Sequence, residues 1–123
     1  MRKLALVLGA VLALSTLSCS SDDAESPDCT DLSGRGTSFT ITLRDNLFVP
    51  SCFTASAAQR LNLVNEDGVL HSFTLEGTPI DVDVSPNETL DLDPVAGVIE
   101  PGTYHLVCKY HAPGMAGDLT VVA

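Results

Sequence analysis

The sequence predicts an all-β fold of about seven to eight strands, arranged as a sandwich or barrel. Three observations predict it. Short apolar runs alternate with polar residues at a period of two, Gly and Pro punctuate the runs, and no stretch keeps a convincing helical period. Strands patterned in this way have one face to bury, and a second sheet or closure into a barrel covers it. No internal repeat is visible.

The N-terminal end stands apart from this pattern. Met1-Arg2-Lys3 is a short basic start, and Leu4 to Leu17 is almost wholly apolar. A membrane span needs about 20 apolar residues, so the run is too short for one and has the form of a secretory signal. Residues 1–18 are therefore expected to be a signal peptide. The boundary Thr16-Leu17-Ser18-Cys19 resembles that of bacterial lipoproteins, with Ser18 as the small residue before the cysteine. That resemblance implies an acylated Cys19 and membrane contact only through its lipid. The alternative is ordinary cleavage nearby and release as a soluble exported protein. Either way the protein is expected outside the cytoplasm, in the periplasm or on the cell surface. Ser20 to Pro27 is polar and acidic, and residues 19–36 are expected to form a flexible tether before a domain over 37–123.

From Thr37 the strands follow in order. Phe39, Ile41 and Leu43 alternate with Thr40, Thr42 and Arg44, and Asp45-Asn46 breaks the run before Leu47-Phe48-Val49. Pro50-Ser51-Cys52 reads as a loop. Leu61, Leu63 and Asn65 alternate with Asn62 and Val64 up to the turn Glu66-Asp67-Gly68, and His71 to Leu75 starts another strand. Ile80, Val82 and Val84 then alternate with Asp81 and Asp83, Leu90 and Leu92 with Asp91 and Asp93, and Tyr104, Leu106 and Cys108 with His105 and Val107. Leu119 to Val122 closes the chain. The acids from Asp81 to Asp93 do not form a calcium loop, because Pro86 stands at the sixth position, where Gly is needed, and Leu92 at the twelfth. They are expected on solvated strand faces, as is His105.

Size and charge narrow the function. A chain of 123 residues with four Phe, two Tyr and no Trp buries one modest core and has no room for a second catalytic domain. Its sixteen Asp and Glu against six Lys and Arg give a net charge of −10, the opposite of what phosphate binding requires. Nucleic acid is therefore not an expected partner. Removing residues 1–18 takes away Arg2 and Lys3 and makes the remainder more acidic still.

The residues with distinctive chemistry lie in two places. One is His71, just after the turn at residues 65–68; the other is Cys108-Lys109-Tyr110-His111-Ala112-Pro113-Gly114-Met115. A thiolate, a thioether and two imidazoles make a soft nitrogen-and-sulfur donor set, which selects copper, or failing that zinc, over calcium or magnesium. Cys108 ends a strand and His111 follows three residues later in a Pro-Gly loop, so both can reach one ion. A trigonal His, His, Cys set with a weak axial Met is the ligand arrangement of type 1 copper.

At these residues the sequence resembles the cupredoxins, the small blue-copper proteins that include plastocyanin, pseudoazurin and amicyanin. The resemblance runs from about Thr37 to Ala123 and takes in 64–73 and 101–108 as well as the C-terminal loop. It implies an eight-stranded Greek-key sandwich and one type 1 copper held by His71, Cys108, His111 and Met115. Three residues separate His111 from Met115, against four in the plastocyanin loop and two in that of amicyanin. Ser72 stands where relatives often have a small polar residue tying the ligand loops together, and with Asn65 it is expected to brace the ligands from behind. Val69, Leu70, Ala112, Pro113 and Met115 are expected to surround the His111 edge, where a redox protein such as a cytochrome or an oxidase would dock. The implied function is one-electron transfer by a monomer, with no catalysis. A copper-delivery lipoprotein is the alternative, and a Cys108 nucleophile with a His base is a third reading.

The remaining cysteines follow from these roles. With Cys19 as lipid acceptor and Cys108 as ligand, Cys29 and Cys52 are left to pair in an oxidising compartment. A bridge closing a loop of that length is worth roughly 3 kcal/mol on the chain-entropy model. Metal binding by either cysteine has no neighbouring His or Cys at ligand spacing to support it.

Overall fold

Residues 29–123 are described by the computed structural model, and among them there are ten strands and no helix. The expected secretory signal, the expected acylation site at Cys19 and most of the expected tether lie outside the described residues. The strands are β1 (Thr30–Asp31), β2 (Ser38–Arg44), β3 (Leu47–Val49), β4 (Cys52–Ser56), β5 (Arg60–Asn65), β6 (His71–Leu75), β7 (Asp81–Val84), β8 (Thr89–Leu92), β9 (Gly102–Val107) and β10 (Ala116–Val122). The larger sheet has the order β1, β4, β10, β9, β6, β7, and the smaller the order β3, β2, β5, β8. Both are mixed: β1 with β4, β4 with β10 and β2 with β5 run parallel, and the other neighbours are antiparallel.

The alternation expected in β2 and β5 is what joins the sheets. Phe39, Ile41 and Leu43 from β2 and Leu61 and Leu63 from β5 point inward and are buried, facing Phe73, Leu75, Leu106, Leu119 and Val121 of the larger sheet. Phe48 meets Phe73 edge-on at 6.1 Å, and Phe39 meets Phe53 at 5.8 Å. Such aromatic pairs add about 0.5–1.5 kcal/mol each beyond the area they bury. The break at Asp45-Asn46 is a two-residue hairpin turn in which both residues take positive φ, 55° and 57°. Asn and Asp tolerate that left-handed backbone, and its twist suits paired strands.

Two expectations are corrected. Cys52 was expected in a loop but opens β4, a strand between β1 and β10 whose Phe53 and Ala55 are buried. Its inward face is one Phe and one Ala among Cys, Thr and Ser, too weak an alternation to stand out. The part of the expected 19–36 tether that is described, from Cys29 onward, is built into the domain. Thr30 and Asp31 pair with Phe53 and Thr54, and Leu32 is buried in the core. The buried Gln59 side chain fixes this segment, donating through Nε2 to the Leu32 carbonyl at 2.8 Å and the Gly36 carbonyl at 3.0 Å. The Cys29–Cys52 disulfide, with Cα atoms 4.5 Å apart, holds the start of the same segment against β4.

The ends of several strands meet at one end of the sandwich. Thr74 of β6 and Ala116 of β10 both lie opposite Val107 of β9. His71, the residue after β9 and the residue before β10 are thereby gathered there.

Candidate metal centre

His71 is the first residue of β6 and is fully buried. Its Nδ1 lies 3.2 Å from Nδ1 of His111 and 3.8 Å from Sγ of Cys108, and the sulfur is 3.3 Å from Nδ1 of His111. These three lone-pair atoms lie within 4.8 Å of one another, and they form the one such cluster of His, Cys or acidic groups among the described residues. Two imidazole nitrogens and a thiolate converging at a buried point are the donors a soft ion selects, so the residues present fit copper.

The loop from Cys108 to Met115 is folded by its own backbone. The His111 amide donates to the Cys108 carbonyl at 3.1 Å, the Met115 amide to the His111 carbonyl at 3.2 Å, and the Cys108 amide to the Met115 carbonyl at 3.0 Å. Met115 is fully buried beneath the loop. It therefore does not belong to the surface around His111, where the sequence had placed it. Val69, Leu70, Ala112 and Pro113 are exposed, as is Tyr110.

Ser72 ties the start of β6 to the Cys108 loop. Its backbone N–H donates to the Cys108 sulfur at 3.4 Å, and its Oγ accepts the Lys109 amide at 2.9 Å. Asn65 holds the loop ahead of His71, donating through Nδ2 to the carbonyls of Val69, Val84 and Ser85 and accepting the Asp67 amide at Oδ1. Lys109 and Tyr110 turn outward to β7. The Lys109 ammonium lies 3.0 Å from both Asp81 and Asp83, and the Tyr110 hydroxyl donates to Asp83 at 2.9 Å. Hydrogen bonds from Lys109 hold both carboxyls below the ordinary range, and the two acids in turn raise the Lys109 ammonium above its own. The bond to Asp83 raises the Tyr110 phenol.

Sequence reasoning missed Asp67. Its Oδ2 accepts Nε2–H of His71 at 2.7 Å, and its carboxylate also accepts the backbone amides of Asp45 and Asn46 at 2.9 and 3.1 Å. The His71 bond and then these amides hold the Asp67 carboxyl below the usual value against an opposing effect of burial. The signal was an acid four residues before a candidate ligand histidine, inside a turn where acids are ordinarily solvated. His105 is exposed as expected, and its Nδ1 lies 3.3 Å from the Asp118 carboxylate.

This sandwich with a sulfur-and-imidazole cluster at one end defines a cupredoxin. The family model of the cupredoxin-like domain matches residues 6–121, and the chain belongs to that family. Comparison with curated proteins gives no match. Among solved structures, an amicyanin variant in the Cu(I) state is similar with a TM-score of 0.56 at 14% identity, over 70% of this chain and 83% of that one. A second, reduced amicyanin variant gives 0.56 at 15%, over 71% and 84%. The Cu-containing nitrite reductase of Thermus scotoductus SA-01 gives 0.54 at 20% over 68% of this chain, which spans 22% of that protein. These likenesses show the shared fold.

Proposed function

We propose that this protein carries single electrons at one type 1 copper held by His71, Cys108 and His111, with Met115 as the weak axial donor, outside the cytoplasm. The observation that carries the reading is the convergence of two Nδ1 atoms and one Sγ at a buried point beneath an exposed apolar rim. Copper bound there supplies a Cu(II)/Cu(I) couple. The chain's own residues hold the donors in place before any ion arrives: Ser72 through the sulfur and the Lys109 amide, Asn65 through the loop before His71, and the loop hydrogen bonds through His111 and Met115. A site built in advance rearranges little between oxidation states, which suits electron transfer. The rim of Val69, Leu70, Tyr110, Ala112 and Pro113 gives a redox protein a dry contact close to His111. Residues 1–18 export the chain, Cys19 carries a lipid, and the domain needs no catalytic group of its own.

The test is a titration of the purified protein with Cu(II), then ascorbate, followed by visible and EPR spectra. The expected result is an intense blue absorption with narrow copper hyperfine splitting, bleached reversibly on reduction. Cys108→Ser is expected to lose the colour while keeping its far-UV circular dichroism, because the thiolate-to-copper transition is the source of the band. A colourless wild type, or ordinary type 2 copper signals, would overturn the reading. Copper surrendered to an acceptor instead of being retained through redox cycles would favour copper delivery.

A further inference from the structure

We propose that Asp67 is the positioning residue of the site: it fixes His71 with its proton on Nε2 and so leaves the Nδ1 lone pair aimed at the point shared with Cys108 and His111. The inference rests on the copper reading above for what occupies that point. The geometry of the imidazole stands without it.

Three N–H groups converge on the Asp67 carboxylate, from the Asp45 backbone, the Asn46 backbone and the His71 ring. Backbone amides donate to both of its oxygens and hold the group as an acceptor-only carboxylate, so at 2.7 Å the His71 Nε2 is the donor. A neutral imidazole has one N–H, and the proton on Nε2 makes Nδ1 an acceptor and a ligand. The ring is fully buried, and the structure gives Nε2 no other partner. Its orientation is therefore inherited from whatever holds Asp67.

Backbone holds it, and on the opposite sheet. The Asp45 and Asn46 amides belong to the left-handed turn between β2 and β3, and the Asp67 amide is fixed by the side chain of Asn65 at the end of β5. His71 begins β6, in the larger sheet. Asp67 thus couples one ligand of the site to a rigid hairpin turn across the sandwich. Its negative charge also favours the more highly charged ion. Asp67→Asn keeps the shape but presents one oxygen where three donors meet, so either the turn or His71 loses its acceptor.

The experiment uses the full chain. Imidazole nitrogen NMR of the metal-free wild type reads the His71 tautomer, and competition with chelators of known affinity reads Cu(II) and Cu(I) binding in wild type and Asp67→Asn. The expected result is the Nε2–H tautomer in wild type, and in the variant a loss of Cu(II) affinity of about 10–100-fold. Cu(I) affinity falls less, so the reduction potential rises. Finding the proton on Nδ1 of metal-free His71 would overturn the proposal, as would a folded Asp67→Asn that binds Cu(II) as tightly as wild type. If the variant does not fold, the wild-type tautomer alone decides. A wild type with the Nε2–H tautomer that takes up no copper supports the role of Asp67 and removes the copper reading, so the two failures are distinguishable.

Discussion

Met115 carries the residue-scale question, because it is fully buried while its backbone closes the loop onto Cys108 and His111. A buried Met is often a gap filler, and packing alone would justify it. The two roles separate in Met115→Leu, which conserves volume and apolarity and is expected to cost less than about 1.5 kcal/mol of stability. If Met115 supplies the weak donor proposed above, its removal costs Cu(II) a ligand, so the variant is expected to keep copper and show a higher reduction potential by spectroelectrochemistry. An unchanged potential would assign Met115 to packing. The sulfur and imidazole donors were legible because soft donors clustered in one Pro-Gly loop are unusual. Asp67 was not legible, because its partner is reached only when the turn folds back over β6.

At the scale of elements, the alternating strands β2, β5 and β9 could be read directly, whereas β1 and β4 could not. Thr30–Asp31 is too short to carry a period, and β4 depends on neighbours on both sides for its identity as a strand. That dependence concentrates at Gly117. The Asp118 amide donates to the Ser51 carbonyl at 2.9 Å, and a Cβ on Gly117 would overlap that same carbonyl oxygen. Backbone cannot swing aside as a flexible side chain does, so the register of β4 against β10 requires glycine here. Gly117→Ala is expected to cost at least the ~1–3 kcal/mol of ordinary overpacking. In a domain of this size each kcal/mol lowers Tm by about 4–8 °C. Because β10 begins directly after Met115, the same variant should also disturb the copper spectrum. A thermal melt that matches wild type would mean that the β4–β10 pairing relaxes freely and does not constrain the site.

At the scale of the whole molecule, charge is the property the sequence states most openly, and the fold decides where it acts. Asp81 and Asp83 of β7 lie beside the metal loop and engage Lys109, while Asp91 and Asp93 flank the outer face of β8 and engage Arg60. These exposed pairs add little to stability. Each places a single cation between two acids, so the pairs leave the surface negative, in keeping with the −10 of the chain. A negative field beside an apolar rim steers a basic partner to the rim and leaves final docking to apolar contact. Electron exchange with a basic redox protein is therefore expected to slow by roughly tenfold or more as ionic strength rises from 0.01 to 0.15 M, where the screening length falls from about 30 to about 8 Å. Stopped-flow absorbance at the copper band measures this directly. An acidic redox protein of similar potential should show the opposite trend, faster as salt screens the repulsion. Rates independent of salt with both partners would assign recognition to the apolar rim alone and leave the acids of β7 and β8 as solvated strand faces with no part in docking.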